Sequence, residues 1–426
     1  MKSGLRARLR GRVEPPGDKS IGHRLALLSA LAPGRSRLDE FPPGQDCASS
    51  LGVLRALGIE VSRDGDAIEI QGRGLDGLAA PKTDLDCGNS GSTARMSCGI
   101  LAGQRFTSRL VGDESLSRRP FDRVVVPLAR MGAAIETTGG LLPLTVTGGR
   151  KLRGIDYELP VASAQVKTAV LFAGLYAEGV TRVREPIPSR NHTELALQAF
   201  GASPVVRPGT IEIEGGASLS PGRFRIPGDF SSAAFFLGGA AFLPGSEVVV
   251  ENVGLNPTRA ALLDALKAMG ADVEVEVSPE AGEAQGRVVV RGHELRGIDI
   301  ARERVPALID ELPILAVVAA FASGTTRVEG ASELRVKESD RLSAIIEGLR
   351  SLGADVTELE DGFEIRGAGW GRPLRPARLR SFADHRMVMA WAVAALGVDG
   401  VCDIDDLDQV KISYPGFWHT LDRLVC

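Results

Sequence analysis

Pro16–Ser20 reads Pro-Gly-Asp-Lys-Ser, and a close copy, Pro-Gly-Asp-Phe-Ser, stands at Pro227–Ser231. Each copy precedes an apolar run that predicts a helix, and Asp or Ser ahead of such a run is typical of an N-cap. The free N–H groups at a helix N-terminus attract anions. The recurrence therefore indicates a chain that is built twice, with a potential anion-binding helix start in each half.

The first copy also carries cations. Lys19 directly follows the predicted cap, and Arg24 falls on the stripe with Ile21 and Leu25 that a helical period would bury. A buried cation needs an anionic partner, so this helix start is a candidate anion site. The alternative is that both side chains merely extend from an ordinary helix into solvent. A nucleotide P-loop does not fit, because Asp18 interrupts the required Gly-Lys-Ser succession.

Composition limits the class of protein. A chain of 426 residues with 44% hydrophobic content predicts two or more domains. No apolar run reaches the roughly 18 residues of a membrane span, and the N-terminus does not resemble a signal peptide, so we expect a cytoplasmic protein. Five cysteines without CxxC spacing argue against a structural disulfide or metal site. A net charge of −4 indicates neither a nucleic-acid nor a membrane partner.

A long unit repeats along the chain. Residues 5–13 alternate apolar residues with arginine, which predicts a half-buried strand. After it, a polar opening, an Ala- and Leu-rich helix, a strand, a second helix, a glycine and another strand recur at a period of roughly 65 to 80 residues, which suits a βαβαββ unit. In the first five units the second helix ends at a glycine suited to a C-cap. The six openings lie near Gly17, Gly88, Ala162, Gly228, Ile309 and Asp384.

Six units predict two lobes of three units each. We expect residues 18–227 to form the N-terminal lobe, and residues 1–17 with 228–426 to form the C-terminal lobe. The first strand is predicted to pair with the later half of the chain. Because the openings differ chemically while the helices behind them are alike, the openings are the predicted binding sites.

The openings of the N-terminal lobe offer several polar candidates. Gly91 lies in a turn of small residues where a ligand can approach the backbone closely. Arg119 lies in a loop and suits a carboxylate or phosphate, although paired arginines on loops are commonly solvated. Ser163 and Gln165 could bind hydroxyl groups of a substrate, or Ser163 could simply cap its helix. Arg190 lies in a further polar loop.

The fifth unit is the richest in charge. Asp310 and Glu311 are predicted to lie in the first turn of a helix, where carboxylates also serve as plain complements to the helix dipole. Glu338 is predicted near the start of a second helix, with Lys337 and Arg341 on a neighbouring face at the i, i+4 spacing. Such a helix would direct one carboxylate and two cations toward the opening.

The sixth unit adds two cations, Arg386 at its helix start and Lys411 ahead of an apolar stretch. Cations at openings in both halves of the chain predict a strongly anionic ligand. We expect that ligand to draw the two lobes together, because two cationic surfaces repel each other without it.

Taken together, these motifs resemble the family of 5-enolpyruvylshikimate-3-phosphate synthases, over nearly the whole chain. Its members join phosphoenolpyruvate to shikimate 3-phosphate and release phosphate, in the shikimate pathway to chorismate and the aromatic amino acids. The resemblance implies an α/β fold, a two-domain inside-out α/β barrel of six βαβαββ repeats with the site in the interdomain cleft. It also implies a cytoplasmic monomer that needs no cofactor or metal and is a target of glyphosate.

By this resemblance, residues from both lobes contact each substrate. Asp310 would be the general base that takes the proton of the attacking hydroxyl, and Glu338 with Lys19 would protonate the enol carbon and the leaving phosphate. The residues implied for shikimate 3-phosphate are Lys19, Ser20, Arg24, Ser163, Gln165, Arg190, Asp310 and Lys337. Those implied for phosphoenolpyruvate are Lys19, Gly91, Arg119, Gln165, Arg341, Arg386 and Lys411.

Two positions depart from the family pattern, and two alternatives stay open. Ala164 stands where many members carry a second serine, and Glu333 where many carry asparagine, so contacts to shikimate 3-phosphate would differ there.

A UDP-N-acetylglucosamine enolpyruvyl transferase shares the architecture but usually carries a cysteine in the loop Gly112–Pro120, which has none here. The other alternative is a non-catalytic repeat protein that binds phosphorylated metabolites, which the carboxylates Asp310 and Glu338 disfavour.

Overall fold

The computed structural model describes residues 7–278 and 282–426. It divides into two compact units, each with its own hydrophobic core. The N-terminal unit is Gly17–Ile226, and the C-terminal unit joins the N-terminal segment up to Pro16 to Pro227–Cys426. Within the described ranges, none of the helices combines the length and apolar character needed to cross a membrane.

The α-helices of the described residues fall into long buried helices and shorter outer ones. They are α1 Lys19–Leu31, α2 Gln45–Ala56, α3 Gly91–Ala102, α4 Glu114–Ser117, α5 Asp122–Arg130, α6 Ala164–Gly174, α7 His192–Ala199, α8 Phe230–Phe242, α9 Ala261–Ala268, α10 Val305–Leu308, α11 Leu312–Phe321, α12 Arg341–Ser351, α13 His385–Leu396 and α14 Phe417–Leu424.

The strands are short and belong to small sheets. They are β1 Arg10–Val13, β2 Gly34–Asp39, β3 Glu60–Asp64, β4 Ala67–Gly72, β5 Leu85–Asp86, β6 Ser108–Val111, β7 Ala134–Thr138, β8 Leu141–Thr147, β9 Asp156–Glu158, β10 Val180–Arg184, β11 Val205–Arg207, β12 Thr210–Glu214, β13 Arg223–Arg225, β14 Glu247–Gly254, β15 Asp272–Val277, β16 Gln285–Arg291, β17 Asp299–Ile300, β18 Thr325–Val328, β19 Asp355–Leu359, β20 Gly362–Arg366, β21 Arg378–Leu379 and β22 Asp403–Ile404.

One sheet pattern recurs in both units. The N-terminal unit has the sheet orders β13-β2-β4-β3, β5-β6-β8-β7 and β11-β12-β10-β9, and the C-terminal unit has β1-β14-β16-β15, β17-β18-β20-β19 and the two-stranded β21-β22. In each four-stranded sheet one pair is parallel and the other pairs are antiparallel, as in β5-β6-β8-β7. A parallel pair requires a crossover, which a buried helix supplies. The repeat is therefore a βαβαββ unit, and the sixth copy keeps only its first strands.

The first strand belongs to the C-terminal unit. β1 pairs in parallel with β14, with Arg10 opposite Glu247 and Val13 opposite Val250. The prediction that the N-terminal strand pairs with the later half of the chain is confirmed. β13, at the other end of the N-terminal unit, pairs in parallel with β2. Each unit thus completes its first sheet with a strand distant in sequence.

Three helices form the interior of each unit. In the C-terminal unit every residue of α8, α11 and α13 is buried, because these helices are apolar on all sides. In the N-terminal unit α3 packs against both α1 and α6. The approach is close: a Cβ on Gly99 of α3 would stand 2.0 Å from the backbone oxygen of Ala169 in α6. Glycine is required there, since any side chain would force the helices apart.

The five glycines predicted to end the second helices do so with left-handed backbone. Their φ angles lie between +80° and +103°, which L residues with a side chain rarely adopt. They are Gly58, Gly132, Gly201, Gly270 and Gly353.

We expect Gly201→Ala to destabilise the N-terminal unit. The nearest atom to an added Cβ at Gly201 is 3.6 Å away, so backbone strain at φ +85° is the dominant cost, on the order of 1–2 kcal/mol. The matched variant Gly52→Ala lies on the exposed face of α2, where a Cβ meets nothing within 4 Å. It should stabilise the protein by roughly 0.5–1 kcal/mol. Urea unfolding curves measure both; a Gly201→Ala midpoint at or above that of wild type would contradict the assignment.

Candidate active site

Three helix starts lie together in the N-terminal unit. Their caps are Asp18, Ser90 and Ser163, and each cap side chain accepts a hydrogen bond from a backbone N–H of the first turn. Side chains of one helix contact the start of another: an Arg24 N–H donates to the Ala164 oxygen, and Gln165 Nε2 donates to Ser92 Oγ at 2.9 Å. The predicted openings of α1, α3 and α6 therefore form one cluster within this unit.

Lys19 is the first residue of α1 and is 16% exposed at its side chain. Its Nζ lies 2.8 Å from Asp46 Oδ2 near the start of α2. The ammonium group is thus held at the partly open end of the cluster by an acidic partner that sequence analysis did not identify. The neighbouring Ser20 is also partly buried, and its hydroxyl accepts an N–H of Arg190 at 3.5 Å.

Arg24 is buried and connects three helices. Its Nε donates to Thr193 Oγ1 at 2.7 Å, and its two terminal nitrogens donate to the Ser20 oxygen at 2.8 Å and to Thr168 Oγ1 at 2.9 Å. The predicted burial of this cation is correct. Its hydrogen bonds to α1, α6 and α7 fix the relative positions of these helices, and so the place of Lys19.

Gly91 opens α3 beside two arginines. A Cβ at this position would stand 2.5 Å from one terminal nitrogen of Arg95 and 3.4 Å from one of Arg119. Arg95 in turn donates to Gln165 Oε1 at 3.1 Å, and its guanidinium stacks over the Phe121 ring at 4.9 Å. Any side chain at residue 91 would therefore displace groups that hold Gln165.

Arg119 is buried in the loop after α4, with 6% of the residue exposed. It donates to Asn89 Oδ1 at 2.8 Å and to Ser115 Oγ at 3.1 Å. Asn89 is itself held by Asp113, the cap of α4, through a 2.7 Å hydrogen bond. Burial beside Gly91 distinguishes Arg119 from Arg118, which forms only an exposed pair on α4.

The loop that carries Arg190 packs against a buried cluster of charged side chains. Lys167 Nζ lies 2.9 Å from Glu185 Oε2 and 2.7 Å from Glu194 Oε1, and all three side chains are at most 5% exposed. Glu185 also accepts hydrogen bonds from the backbone and hydroxyl of Ser189. The loop 185–190 is thus fixed between α6 and α7.

His23 lies one turn after Lys19 in α1 and has no exposed surface. Burial, and then the charges of Lys19 and Arg24, hold the pKa of His23 well below its usual 6.5. The ring Nδ1 lies 2.8 Å from Ser50 Oγ, which in turn lies 2.8 Å from Thr93 Oγ1. A neutral histidine therefore links α1 to α2 and α3.

In the C-terminal unit, the position of Asp310 and Glu311 corrects the sequence prediction. Both were expected in the first turn of a helix, but α11 begins at Leu312, Asp310 lies in a turn and Glu311 is the N-cap. The chain makes this turn between α10 and α11. The Asp310 side chain is 14% exposed, whereas that of Glu311 is 0% exposed and accepts the hydroxyl of Ser231.

Arg341 joins the acidic residues of this unit. It donates to Asp384 at 2.7 Å and to Asp310 at 3.3 Å, and it also contacts Glu338. Burial by itself lowers the pKa of the guanidinium. The three carboxylates raise the pKa by more than burial lowers it, so the net effect is a raised pKa. Arg341 therefore stays charged although its side chain is only 1% exposed.

Arg386 and Asp384 open α13. Asp384 caps the helix, and although its burial raises the pKa of the carboxyl, the charge of Arg341 contributes to a net lowering. Arg386 donates to the backbone oxygen of Asp310 at 3.1 Å, and a second nitrogen lies 3.5 Å from Asp310 Oδ2. The starts of α11, α12 and α13 thus meet at Asp310.

Lys337 and Glu338 lie outside the helix predicted for them. α12 begins at Arg341 with Asp340 as its cap, so Lys337 and Arg341 are not an i, i+4 helical pair. The reason is the cap: Asp340 accepts the N–H of Ser343 and ends the preceding turn. Both Lys337 and Glu338 are partly buried, and Glu338 still reaches Arg341.

Lys411 does not join this cluster among the hydrogen bonds and ion pairs of the described residues. It lies at the end of a short 3₁₀ helix, Leu407–Ile412, and its Nζ pairs with Asp408 at 2.7 Å. Its side chain is 55% exposed. Of the predicted cations of the C-terminal unit, Lys411 is the one at the surface.

Sequence analysis missed four residues that hold these clusters, namely Asp46, Arg95, Lys167 and Arg259. Only Arg95 had a local signal, its position one turn after Gly91. The others owe their positions to contacts with residues 18 to 51 positions away along the chain.

A βαβαββ repeat whose helix starts gather cations and carboxylates defines an enolpyruvyl transferase fold and an enzyme of the transferase class. The family model for EPSP synthase (3-phosphoshikimate 1-carboxyvinyltransferase) matches residues 5–421. The 3-phosphoshikimate 1-carboxyvinyltransferase of Solibacter usitatus (strain Ellin6076) is 48% identical over 419 residues, which cover 98% of each chain. That of Synechococcus sp. (strain JA-3-3Ab) is 50% identical, covering 98% of this chain and 95% of the relative.

Solved structures agree with these relatives. The EPSP synthase of Acinetobacter baumannii superposes with a TM-score of 0.87 at 41% identity, covering 99% of this chain and 96% of that one. The enolpyruvyl transferase NikO of Streptomyces tendae, with a TM-score of 0.75 and 20% identity over 98% of this chain and 95% of its own, shares the fold. The chain belongs to the EPSP synthase family and is a transferase of the shikimate pathway. The two alternative functions are not favoured.

The first prediction from this site concerns Gly91→Ala. The added methyl group should displace the Arg95 guanidinium and thereby Gln165, narrowing the space beside Arg119. Glyphosate is longer than phosphoenolpyruvate, so its inhibition constant should rise more than the KM for phosphoenolpyruvate. Steady-state kinetics with Gly52→Ala as the control measure both constants. Equal changes in the two constants would argue against this placement of Gly91.

The second prediction concerns pH. Because the pKa of His23 is lowered on folding, its stabilising contribution is complete above pH 6.5 and is lost as pH falls from there toward the folded-state value. The loss amounts to at most about 1.4 kcal/mol per pH unit. His23→Asn keeps a polar atom near Ser50 but does not titrate. Between pH 7 and pH 5 the wild type should lose more unfolding free energy than the variant, and parallel pH curves would contradict a buried neutral His23.

Proposed function

We propose that this chain transfers the enolpyruvyl group of phosphoenolpyruvate to the 5-hydroxyl of shikimate 3-phosphate, with residues of both units taking part. Supporting this, the helix starts of the N-terminal unit gather Lys19, Arg24 and Arg119, a set suited to phosphate and carboxylate groups. The observation that carries the proposal is the environment of Asp310. Its carboxylate is partly exposed and lies beside the guanidinium groups of three buried arginines.

The N-terminal unit supplies a large share of the proposed contacts to shikimate 3-phosphate. Ser20, Ser163 and Gln165 lie near Lys19 or the start of α6 and carry hydroxyl or amide groups suited to a hydroxylated ring. Arg190, next to Ser20, would take an anionic group of the substrate. Lys337 of the C-terminal unit adds a further cation to this set. Ala164 contributes only its backbone oxygen, which already accepts the hydroxyl of Thr168.

Phosphoenolpyruvate would lie against the remaining arginines. Arg119 and the backbone at Gly91 serve it from the N-terminal unit, and Arg341 and Arg386 from the C-terminal unit. Both of the latter are buried and pinned by carboxylates, so they present fixed N–H groups to an anion. Lys411 is retained as a proposed contact from the family pattern; its exposed pair with Asp408 would have to open.

The reaction needs proton transfers at three atoms. The attacking hydroxyl loses a proton to Asp310 as its oxygen bonds to the enol carbon bearing phosphate. The methylene carbon gains a proton and loses it again when the product double bond forms, while the bond between the enol carbon and the phosphate oxygen breaks and that oxygen gains a proton. Glu338, 18% exposed beside Arg341, and Lys19 are the proposed groups for these two steps.

We also propose that the two compact units are the two lobes predicted from the repeats, residues 18–227 and residues 1–17 with 228–426. The enzyme is further proposed to act as a cytoplasmic monomer on these small molecules alone. The net charge of −4 supports the absence of nucleic-acid and membrane partners.

The central prediction separates Asp310 from its neighbour. Asp310→Asn keeps the shape and removes the proton acceptor, so kcat should fall on the order of 10²–10⁴-fold, the usual contribution of a general base. Binding of shikimate 3-phosphate should change far less, because the amide still contacts the hydroxyl. A phosphate-release assay and calorimetric binding measure the two effects.

Two comparison variants make this test specific. Glu311→Gln alters a fully buried cap and should leave turnover per folded molecule nearly intact. Asp264→Asn removes an exposed carboxylate paired with Arg304 and should change nothing. Asp310 would not be the base if its variant kept turnover within roughly tenfold of wild type, or if Glu311→Gln were the more damaging change.

A further inference from the structure

Arg259 is a buried arginine in contact with the proposed base. It lies two residues before α9, in a turn where Asn256 accepts backbone N–H groups from both Thr258 and Arg259 at 2.9 Å. Its side chain is 2% exposed. A guanidinium keeps its charge when buried, so its position must be compensated by carboxylates.

Three carboxylates surround Arg259. One terminal nitrogen donates to Asp229 Oδ1 at 3.2 Å, and the other lies 3.6 Å from both Asp310 Oδ2 and Glu311 Oε1. Asp229 caps α8, and Glu311 occupies the N-cap position of α11. Arg259 therefore connects Asp310 to the starts of two helices in which every residue is buried.

The carboxylate of Asp310 is held at both oxygens. Arg341 donates to Oδ1 at 3.3 Å, while Arg259 and Arg386 flank Oδ2 at 3.6 and 3.5 Å. Contacts on both oxygens fix the plane of the carboxylate as well as its position. That orientation matters for a base, because a misplacement of about 1 Å in a reacting group costs on the order of 10²-fold in rate.

We propose that Arg259 is a positioning residue for the reaction: it holds the Asp310 carboxylate in the orientation that accepts the substrate proton. The proposal rests on the role proposed above for Asp310. It distinguishes Arg259 from Arg341 and Arg386, which are proposed to contact phosphoenolpyruvate and so exchange partners during the reaction. Arg259 contacts the acidic helix starts instead, and can keep Asp310 in place throughout.

Removing Arg259 should also change the pH dependence of turnover. Loss of one neighbouring cation favours the protonated form of a carboxylate, so the acid limb of the kcat profile should move to higher pH. Two guanidinium groups would remain at Asp310, and this limits the size of the shift. The charged groups in contact with Asp310 or with its partners are Arg259, Arg341, Arg386, Asp229, Glu311, Glu338 and Asp384, and the titratable His385 lies beside Asp384.

The experiment compares Arg259→Met, Arg259→Lys and Asp310→Asn, singly and with Arg259→Met combined with Asp310→Asn. We expect Arg259→Met to lower kcat by about 10²-fold, with a smaller change in KM and a shifted acid limb. Arg259→Lys retains the positive charge but loses the planar guanidinium, whose two terminal nitrogens contact different carboxylates. We therefore expect kcat to fall with little shift of the acid limb of the pH profile. In the Asp310→Asn background, Arg259→Met should lower kcat no further, because residues that act as one unit are not additive.

Rates are normalised to folded enzyme by circular dichroism melting, and Arg304→Met, which removes an exposed pair with Asp264, is the control. An unchanged kcat with an unchanged acid limb in both Arg259 variants would overturn the proposal. So would losses that multiply in the double variant. If Asp310→Asn alone kept full turnover, Asp310 would not be the base, and the proposed function of this residue would fail. If instead Asp310→Asn lost turnover while Arg259→Met lowered kcat equally in both backgrounds, only the positioning role of Arg259 would fail.

Discussion

The starts of the buried helices impose the main constraint on this structure. An apolar helix that is buried on all sides, such as α11, leaves its first N–H groups without helical partners, and these must be satisfied within the protein or by a ligand. Each unit places three such starts together. Cap side chains and a bound ligand are the groups that can accept these N–H groups. The residues at the helix starts therefore contribute to both folding and binding.

The two units satisfy this constraint with different chemistry. The N-terminal unit uses one acidic and two serine caps, leaving Lys19 and Arg119 near helix starts that already favour anions. The C-terminal unit has Asp229, Glu311 and Asp384 at its helix starts, of which Asp229 and Asp384 accept first-turn N–H groups, and it balances these carboxylates with arginines. The first arrangement suits the binding of phosphate, and the second provides fixed carboxylates for proton transfer.

Local signals explain what the sequence could predict. The repeated openings and the glycines after the second helices depend on residues adjacent in the chain, and the helices begin within three residues of the predicted openings. The first strand was predicted to pair with the later half of the chain, and the structure identifies β14 as its partner. The placement of Asp310 in a helical turn failed for a local reason as well: residues 309–311 form a turn between α10 and α11, which periodicity does not reveal.

Contacts between distant segments explain the rest. Arg259 follows an ordinary Asn-Pro-Thr turn, and its importance depends on Asp229 and on Asp310, which are 30 and 51 positions away along the chain. Lys167 likewise sits within an apolar helix, where a lysine is expected to be excluded unless acidic partners meet it. A buried charge therefore marks a position where the fold must bring opposite charges together. In this chain such positions lie directly behind the residues proposed to contact the substrates.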